Sequence, residues 1–191
     1  MTATPRLQLV RPPQAAALGD DRARMAAIAR GDCAALAELY DAYAPGLLGF
    51  ARRAVGRADA EDIVQTTFIT AARMAPTWDG RSPSARAWLF GIAARHLKER
   101  QRAGSRFARA LLGLATEPAH ASKGPSGERL DTWAALERLP EAKRIVLVLA
   151  EVEGFSGEEI AKMLDIPLNT VWTRLHHGRR AMRELLDEEL P

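Results

Sequence analysis

Among its 191 residues the chain has a single cysteine, Cys33. No internal disulfide can form, so packing must hold the fold. Cys33 lies in an apolar helical pattern and is expected to be a small core residue. Long hydrophobic runs are also missing, and none approaches the roughly 20 residues a membrane span needs. The N-terminus, MTATPRLQLVRPPQ, has no extended apolar segment and is broken by three prolines. It reads as a loose tail rather than an export signal. Together these absences predict a cytoplasmic protein with no direct membrane insertion. Sustained period-two alternation is lacking, which argues against sheets. The chain also lacks a glycine-rich phosphate loop, a metal-spaced His/Cys set and a nucleophile motif, so no catalysis, metal or cofactor is expected.

What is present is helical. The apolar fraction, 47%, suits a globular chain rather than a disordered one. Met25 and Ile28 begin a stripe. Leu36, Leu39, Tyr40 and Tyr43 continue one, interrupted near Pro45-Gly46 and resumed by Leu47, Leu48, Ala51 and Val55. Spacings of three and four residues predict amphipathic helices. Gly56 stops the run. Asp59 is the expected N-cap of the next helix, with Asp62 in its first turn, where negative charge is favoured. Val64, Phe68, Ala71 and Ala75 share a face, and Pro76 ends it. TWDGRSPS is a loop by composition. A helix from Ser84 carries Trp88, Leu89, Ile92, Ala93 and Leu97. IVLVLAEV, 145 to 152, tempts a strand reading, but it stands among good helix formers and is expected to be a buried helix.

Between about 115 and 129 the composition changes to TEPAHASKGPSG, a linker. About 13 such residues at about 3.5 Å each reach about 45 Å. The fold class is therefore all-α: two small helical domains joined by a flexible linker. The expected boundaries are a tail over 1–19, a first domain over 20–114, a linker over 115–129 and a second domain over 130–188.

The net charge is only +3, although the pI is 9.4, so where the charges lie matters more than their sum. Residues 155 to 180 have helix-turn-helix spacing. Ser156 with Glu159 is a capping-box pattern. Ala161 is small where helices cross. Asp165 occupies the turn, where a left-handed backbone is needed. Ile166 plugs the turn, and Pro167 suits a first helical position. Val171 and Leu175 then face inward. Asn169, Thr170, Trp172, Thr173, His176, His177 and Arg180 face outward. Such a helix fits the major groove, with Asn and Thr on base edges. Arg174, Arg179 and Arg180 suit phosphates. The competing reading is an ordinary helical hairpin with a solvated cationic face.

WLFGIAARHLKERQRAGSRFAR is a second basic segment, with six Lys/Arg and one acid from Arg95 to Arg109. Trp78, Trp88 and Phe90 lie upstream. Aromatics beside cations suit a backbone-tracking surface that captures unpaired bases. Trp88 on its own reads better as core. DAEDIVQTTFITAARM, acidic at first and apolar later, reads either as a protein-docking surface or as a capped core helix. A free-standing helix-turn-helix regulator would explain 130–188 but not the first domain.

These motifs together resemble one family. DAEDIVQTTFITAAR followed by WDGRSPSARAWLFGIAARHLKERQR resembles the second conserved region of bacterial sigma factors of the sigma-70 family. LERLPEAKRIVLVLAEVEGFSGEEIAKMLDIPLNTVWTRLHHGRRAMREL resembles their fourth region. With only a linker between them, the chain is similar to the extracytoplasmic-function (ECF) group. The resemblance implies two partners, core RNA polymerase and promoter DNA, and commonly an anti-sigma factor. It implies polymerase binding through Asp62, Ile63, Val64, Gln65 and Phe68. It implies opening and capture of the −10 element by Trp78, Asp79, Gly80, Arg81 and Ser82 in the loop, then by Arg86, Trp88, Arg95, His96, Lys98 and Arg102. It implies reading of the −35 element by Asn169, Thr170, Trp172, Thr173, Arg174, His176, His177 and Arg180. Three positions depart from the pattern: Thr66 stands for a usual acid, Gly157 for a common aromatic, and Trp172 for a usual Lys or Arg.

Overall fold

The computed structural model describes residues 21–78, 84–111 and 128–187. The tail over 1–19, most of the linker over 115–129, and Asp79, Gly80, Arg81 and Ser82 lie outside the described residues. Among the described residues there is no strand. No described helix is long and apolar enough to cross a membrane.

Four helices build the first half: α1 (Asp21–Ala29), α2 (Cys33–Val55), α3 (Arg57–Met74) and α4 (Ala85–Leu111). Asp32 caps α2, its carboxylate accepting from the Ala34 and Ala35 N–H groups at 2.9 and 3.1 Å. That places Cys33 at the first helical position, where its thiol is exposed. Cys33 is therefore not a core residue; the apolar face begins two residues later, at Ala35. α2 runs unbroken through Pro45. The interrupted stripe is one helix, not two. Gly56, at φ 86°, is the whole joint between α2 and α3 and donates its N–H to Arg52 O at 3.0 Å. Because α3 starts directly after it, Asp59 is a first-turn residue rather than the cap, and Asp62 lies beyond the first turn. Asp59 pairs instead with Arg100 of α4. Ser84 caps α4 through a 3.1 Å bond from the Ala87 N–H.

The second half contains α5 (Glu128–Arg138), α6 (Glu141–Leu147), α7 (Gly157–Leu164) and α8 (Leu168–Asp187). The strand-like run is helical and buried, as its neighbours suggested. It begins as α6 and widens into a π turn over Val148–Val152. The capping box at Ser156 and Glu159 is formed on both sides, at 3.2 and 2.8 Å. Asp165 adopts φ 50°, ψ 59°, the left-handed turn expected of it. The Ile166 N–H donates to Ala161 O at 3.1 Å, closing α7. α8 starts at Leu168, so Pro167 sits one position before the helix proper.

The two halves pack directly on each other. α4 lies along α7, and Gly91 faces Met163. Phe50, Phe90 and Phe155 form a chain of rings, 5.4 and then 5.2 Å between centroids, that crosses the boundary. Burying one such ring contributes about 1.5–3 kcal/mol. At its end Arg86 Nη2 donates to Glu153 Oε2 at 2.7 Å and to Glu153 O at 3.1 Å. The Arg86 guanidinium also lies over both Phe90 and Phe155, at 4.7 and 4.4 Å. Glu153 is 2% exposed in its side chain, with Arg53 at 4.0 Å as a second cation. Lower on α4, Lys98 Nζ donates to Leu164 O at 2.8 Å, satisfying a carbonyl at the end of α7.

Two outcomes are expected in thermal melts. Asp165→Gly relieves the left-handed penalty and stabilises by about 0.5 kcal/mol; a lower melting temperature would contradict this geometry. Burial holds the Glu153 carboxyl above its usual range, against the pull of Arg86 and Arg53. Arg86→Ala removes the main opposing charge and raises it further. A raised carboxyl binds more protons in the folded state, so stability falls as pH rises through that range. Arg86→Ala should cost about 3 kcal/mol at pH 8 and less at pH 5. An equal loss at both would mean that Glu153 is not the group left behind.

Candidate nucleic-acid and polymerase interfaces

The expected polymerase set divides by exposure. Ile63, Val64 and Phe68 are core residues of the first half, 4–6% exposed. Their side chains pack inward and hold α3 in place. Asp62 and Gln65 are exposed, and Ile69 completes the same i, i+3, i+7 row. Ile69 is 46% exposed and Tyr40, on α2, 47%. The Tyr40 ring lies 4.8 Å from the Phe68 ring, so this exposed ring is backed by the core. Tyr40 was expected inside. Neither it nor Ile69 was legible as surface, because an outward apolar residue breaks the pattern only when the packed face is known.

The cations of α4 also separate. Arg86, Phe90 and Lys98 fall on one stripe, four or eight residues apart, and that stripe faces the second half. Trp88, Arg95 and Arg102 fall on another stripe. Arg95 and Arg102 are exposed, and Trp88 is half-buried with its ring against the core. His96 lies between, 3.0 Å by Nε2 from Thr70 Oγ1 and 3.7 Å by Nδ1 from Glu99. Trp78 closes the short turn after α3. It helps line a cleft of about 360 Å³ with Met25, Ala26, Ala29 and Pro76, and Arg22 stands at the same cleft. The Trp78 Nε1 is buried there with no hydrogen-bond partner.

On α8, Val171, Leu175, Gly178 and Met182 are buried. Asn169, Trp172, Thr173, His176, His177 and Arg180 are exposed, and Thr170 and Arg174 are half-buried. Thr173 Oγ1 donates to Asn169 O at 2.8 Å. The two histidine rings meet edge-on at 5.5 Å. Arg179 is held by Glu151 at 2.5 Å and Arg180 by Glu184 at 2.7 Å. Both cations are exposed, so these pairs exchange readily with water or a phosphate.

Known proteins share this arrangement. The family model for sigma-70 region 2 matches residues 39–107, and that for sigma-70 region 4 matches residues 129–182. The chain is 33% identical over 173 residues to the ECF RNA polymerase sigma factor SigL of Mycobacterium tuberculosis, covering 87% of this chain and 97% of that protein. It is 30% identical to the ECF RNA polymerase sigma-E factor of Haemophilus influenzae, over 83% and 91% of the two chains. Its fold is similar to the sigma factor RpoE from Bartonella quintana, solved with the anti-sigma factor NepR. There the TM-score is 0.64 at 25% identity, over 81% of this chain and 98% of that one. Most of the basic α4, and α7 with most of α8, thus lie inside two matched regions, in the family's order and over nearly the whole length of the two relatives named. This chain belongs to the ECF group of the sigma-70 family, and it is an RNA polymerase sigma factor that serves transcription initiation.

Proposed function

We propose the division of labour by which this sigma factor works. The carrying observation is that three outward surfaces occur on separate elements: the Asp62–Gln65–Ile69 row with Tyr40, the Trp88–Arg95–Arg102 stripe with the Trp78 cleft, and the Asn169–Arg180 face of α8. The first docks on core polymerase. Its apolar centre, rimmed by a carboxylate and an amide, suits a protein rather than a polyanion. Ile63, Val64 and Phe68 serve the same docking from beneath, as the packing that fixes α3.

The second surface captures the −10 element. The Trp78 cleft is lined by the indole, Met25, Ala26, Ala29 and Pro76 with Arg22 beside them, a mix of apolar surface and a cation that suits an unstacked base. Asp79, Gly80, Arg81 and Ser82, next in sequence after Trp78, are proposed to share this role. His96, Arg95 and Arg102 supply further polar and cationic groups on α4. Arg86 and Lys98 belong to the same basic helix but are spent on Glu153 and Leu164 O while the halves are packed. They reach DNA only when α4 and α7 separate, over a linker long enough to permit it. The third surface reads the −35 element, with Asn169, Thr170, Trp172, Thr173, His176 and His177 at base or sugar edges and Arg174 and Arg180 at phosphates. The domain limits are proposed as 20–114 and 130–188, with the start of α5 at Glu128 falling within the linker expected over 115–129. The chain carries no catalysis of its own, acts in the cytoplasm, and is held inactive by an anti-sigma protein. The solved RpoE, bound to such a protein, supports that last part.

The decisive experiment is transcription in vitro from a pool of promoters, with core polymerase and with or without this protein. Transcripts that appear only with it, at a fixed distance from a shared two-part motif, support the whole scheme. Ile69→Asp should abolish co-purification with core while leaving the melting temperature within a degree or two. Retained co-purification would move the docking surface elsewhere. Arg174→Ala should reduce the salt slope of holoenzyme binding by about one unit; an unchanged slope would take Arg174 off the phosphate.

A further inference from the structure

Gly157 is the first residue of α7 and is buried. Its backbone does not require glycine, since it is not among the positive-φ residues. Its surroundings, with Trp172 in its present position, leave room for nothing larger. A Cβ at this position would stand 2.8 Å from Trp172 Cζ2, 3.0 Å from Trp172 Cη2 and 3.3 Å from Leu168 Cδ1. Contacts that close are repulsive for carbon, whose optimum is about 3.5–4.0 Å. With the indole where it stands, its six-membered edge rests in a notch that a Cβ would close, so an added methyl would turn the ring out of its seat. Even so, Trp172 is 50% exposed. One edge is seated and the rest of the ring faces outward.

The outward part lies on the row that the −35 reading uses: Asn169, Trp172, Thr173 and His176 are spaced i, i+3, i+4 and i+7 on α8. We propose that Gly157 is a positioning residue that fixes the indole of Trp172, and that the seated indole is a specificity determinant of the −35 element. It presents an apolar ring to a thymine methyl or a deoxyribose at one fixed place. This rests on the assignment of α8 to the −35 element. The logic is preorganisation. A tryptophan free to turn on a helix surface would pay to be ordered on DNA and would meet several positions loosely. One held by its edge contacts a single step of the groove. The notch also couples the two helices of the motif, because the ring that meets DNA from α8 is aimed by the start of α7.

The test compares holoenzymes carrying the native chain, Gly157→Ala, Trp172→Ala and the double variant. Each is bound to duplex promoters with every −35 position varied in turn and a constant −10 element. Gly157→Ala should weaken discrimination at the same one or two positions as Trp172→Ala, on the order of tenfold, and the double variant should match Trp172→Ala alone. Discrimination at other positions should hold, which a general loss of fold would not allow. Melting temperature gives an independent reading: Gly157→Ala should lower it when Trp172 is present and not when Trp172 is alanine. If Gly157→Ala alone fails to fold while the double variant folds, that is the extreme form of the same clash, and Trp172→Phe then replaces it in the binding comparison, with weakened discrimination at the same positions expected. Trp172→Ala changing the profile while Gly157→Ala does not would overturn the positioning role. A profile unchanged by Trp172→Ala but altered by Asn169→Ala or Thr173→Ala would overturn the proposal and leave the α8 assignment intact. A profile unchanged by all of these would overturn the α8 assignment itself.

Discussion

The buried carboxylate of Glu153 is the constraint on which the arrangement depends. It lies at the end of the π turn, at the boundary between the halves, with almost no access to water. A charge so placed must be met by another. Arg86 meets it from α4, and the same guanidinium lies over Phe90 and Phe155. One side chain thus neutralises the acid and covers the aromatic seam. The consequence reaches along the whole of α4. With Arg86 fixed, Gly91 comes against Met163 and Lys98 arrives at the end of α7.

This gives the basic helix two roles on two stripes. One cationic stripe holds the protein's own second half, and the other stays exposed. Cations otherwise available to a polyanion are satisfied by a carboxylate and a carbonyl. Packing of this kind stores binding capacity in an internal contact. Separation of the halves would expose Phe90, Phe155 and an unpaired Glu153, so it needs compensation from whatever takes their place. DNA phosphates can compensate Arg86 and Lys98, but a different surface must compensate the rings.

The helix-turn-helix shows a second kind of dependence. Two positions that the resemblance singles out, Gly157 and Trp172, face each other, so that a Cβ at Gly157 would meet the Trp172 ring. Taken separately, they are a glycine where an aromatic is common and a tryptophan where a Lys or Arg is usual. In the structure the missing side chain is the seat of the large one. Pairs of this kind are invisible along the chain because their spacing, 15 residues across a turn, matches no helical period.

The sequence by itself determined the helices, their principal stops and the turn at Asp165. Those follow from periodicity, capping and backbone freedom, all of which act over a few residues. Its motifs also sufficed to identify the family, since both regions carry local signatures in a fixed order. Errors at this level were small and local. Asp32 took the cap and left Cys33 outside, Asp59 joined Arg100 rather than capping, and Pro45 was absorbed within α2. Tertiary structure alone decided which side of each helix is free. It turned Ile63, Val64 and Phe68 inward, left Tyr40 and Ile69 outside, set Arg86 and Lys98 on the second half and seated Trp172 on Gly157. The reason is physical: a residue's period states that it has neighbours on one face, whereas its partner across the core is fixed by contacts between segments far apart in the chain, which no local pattern records.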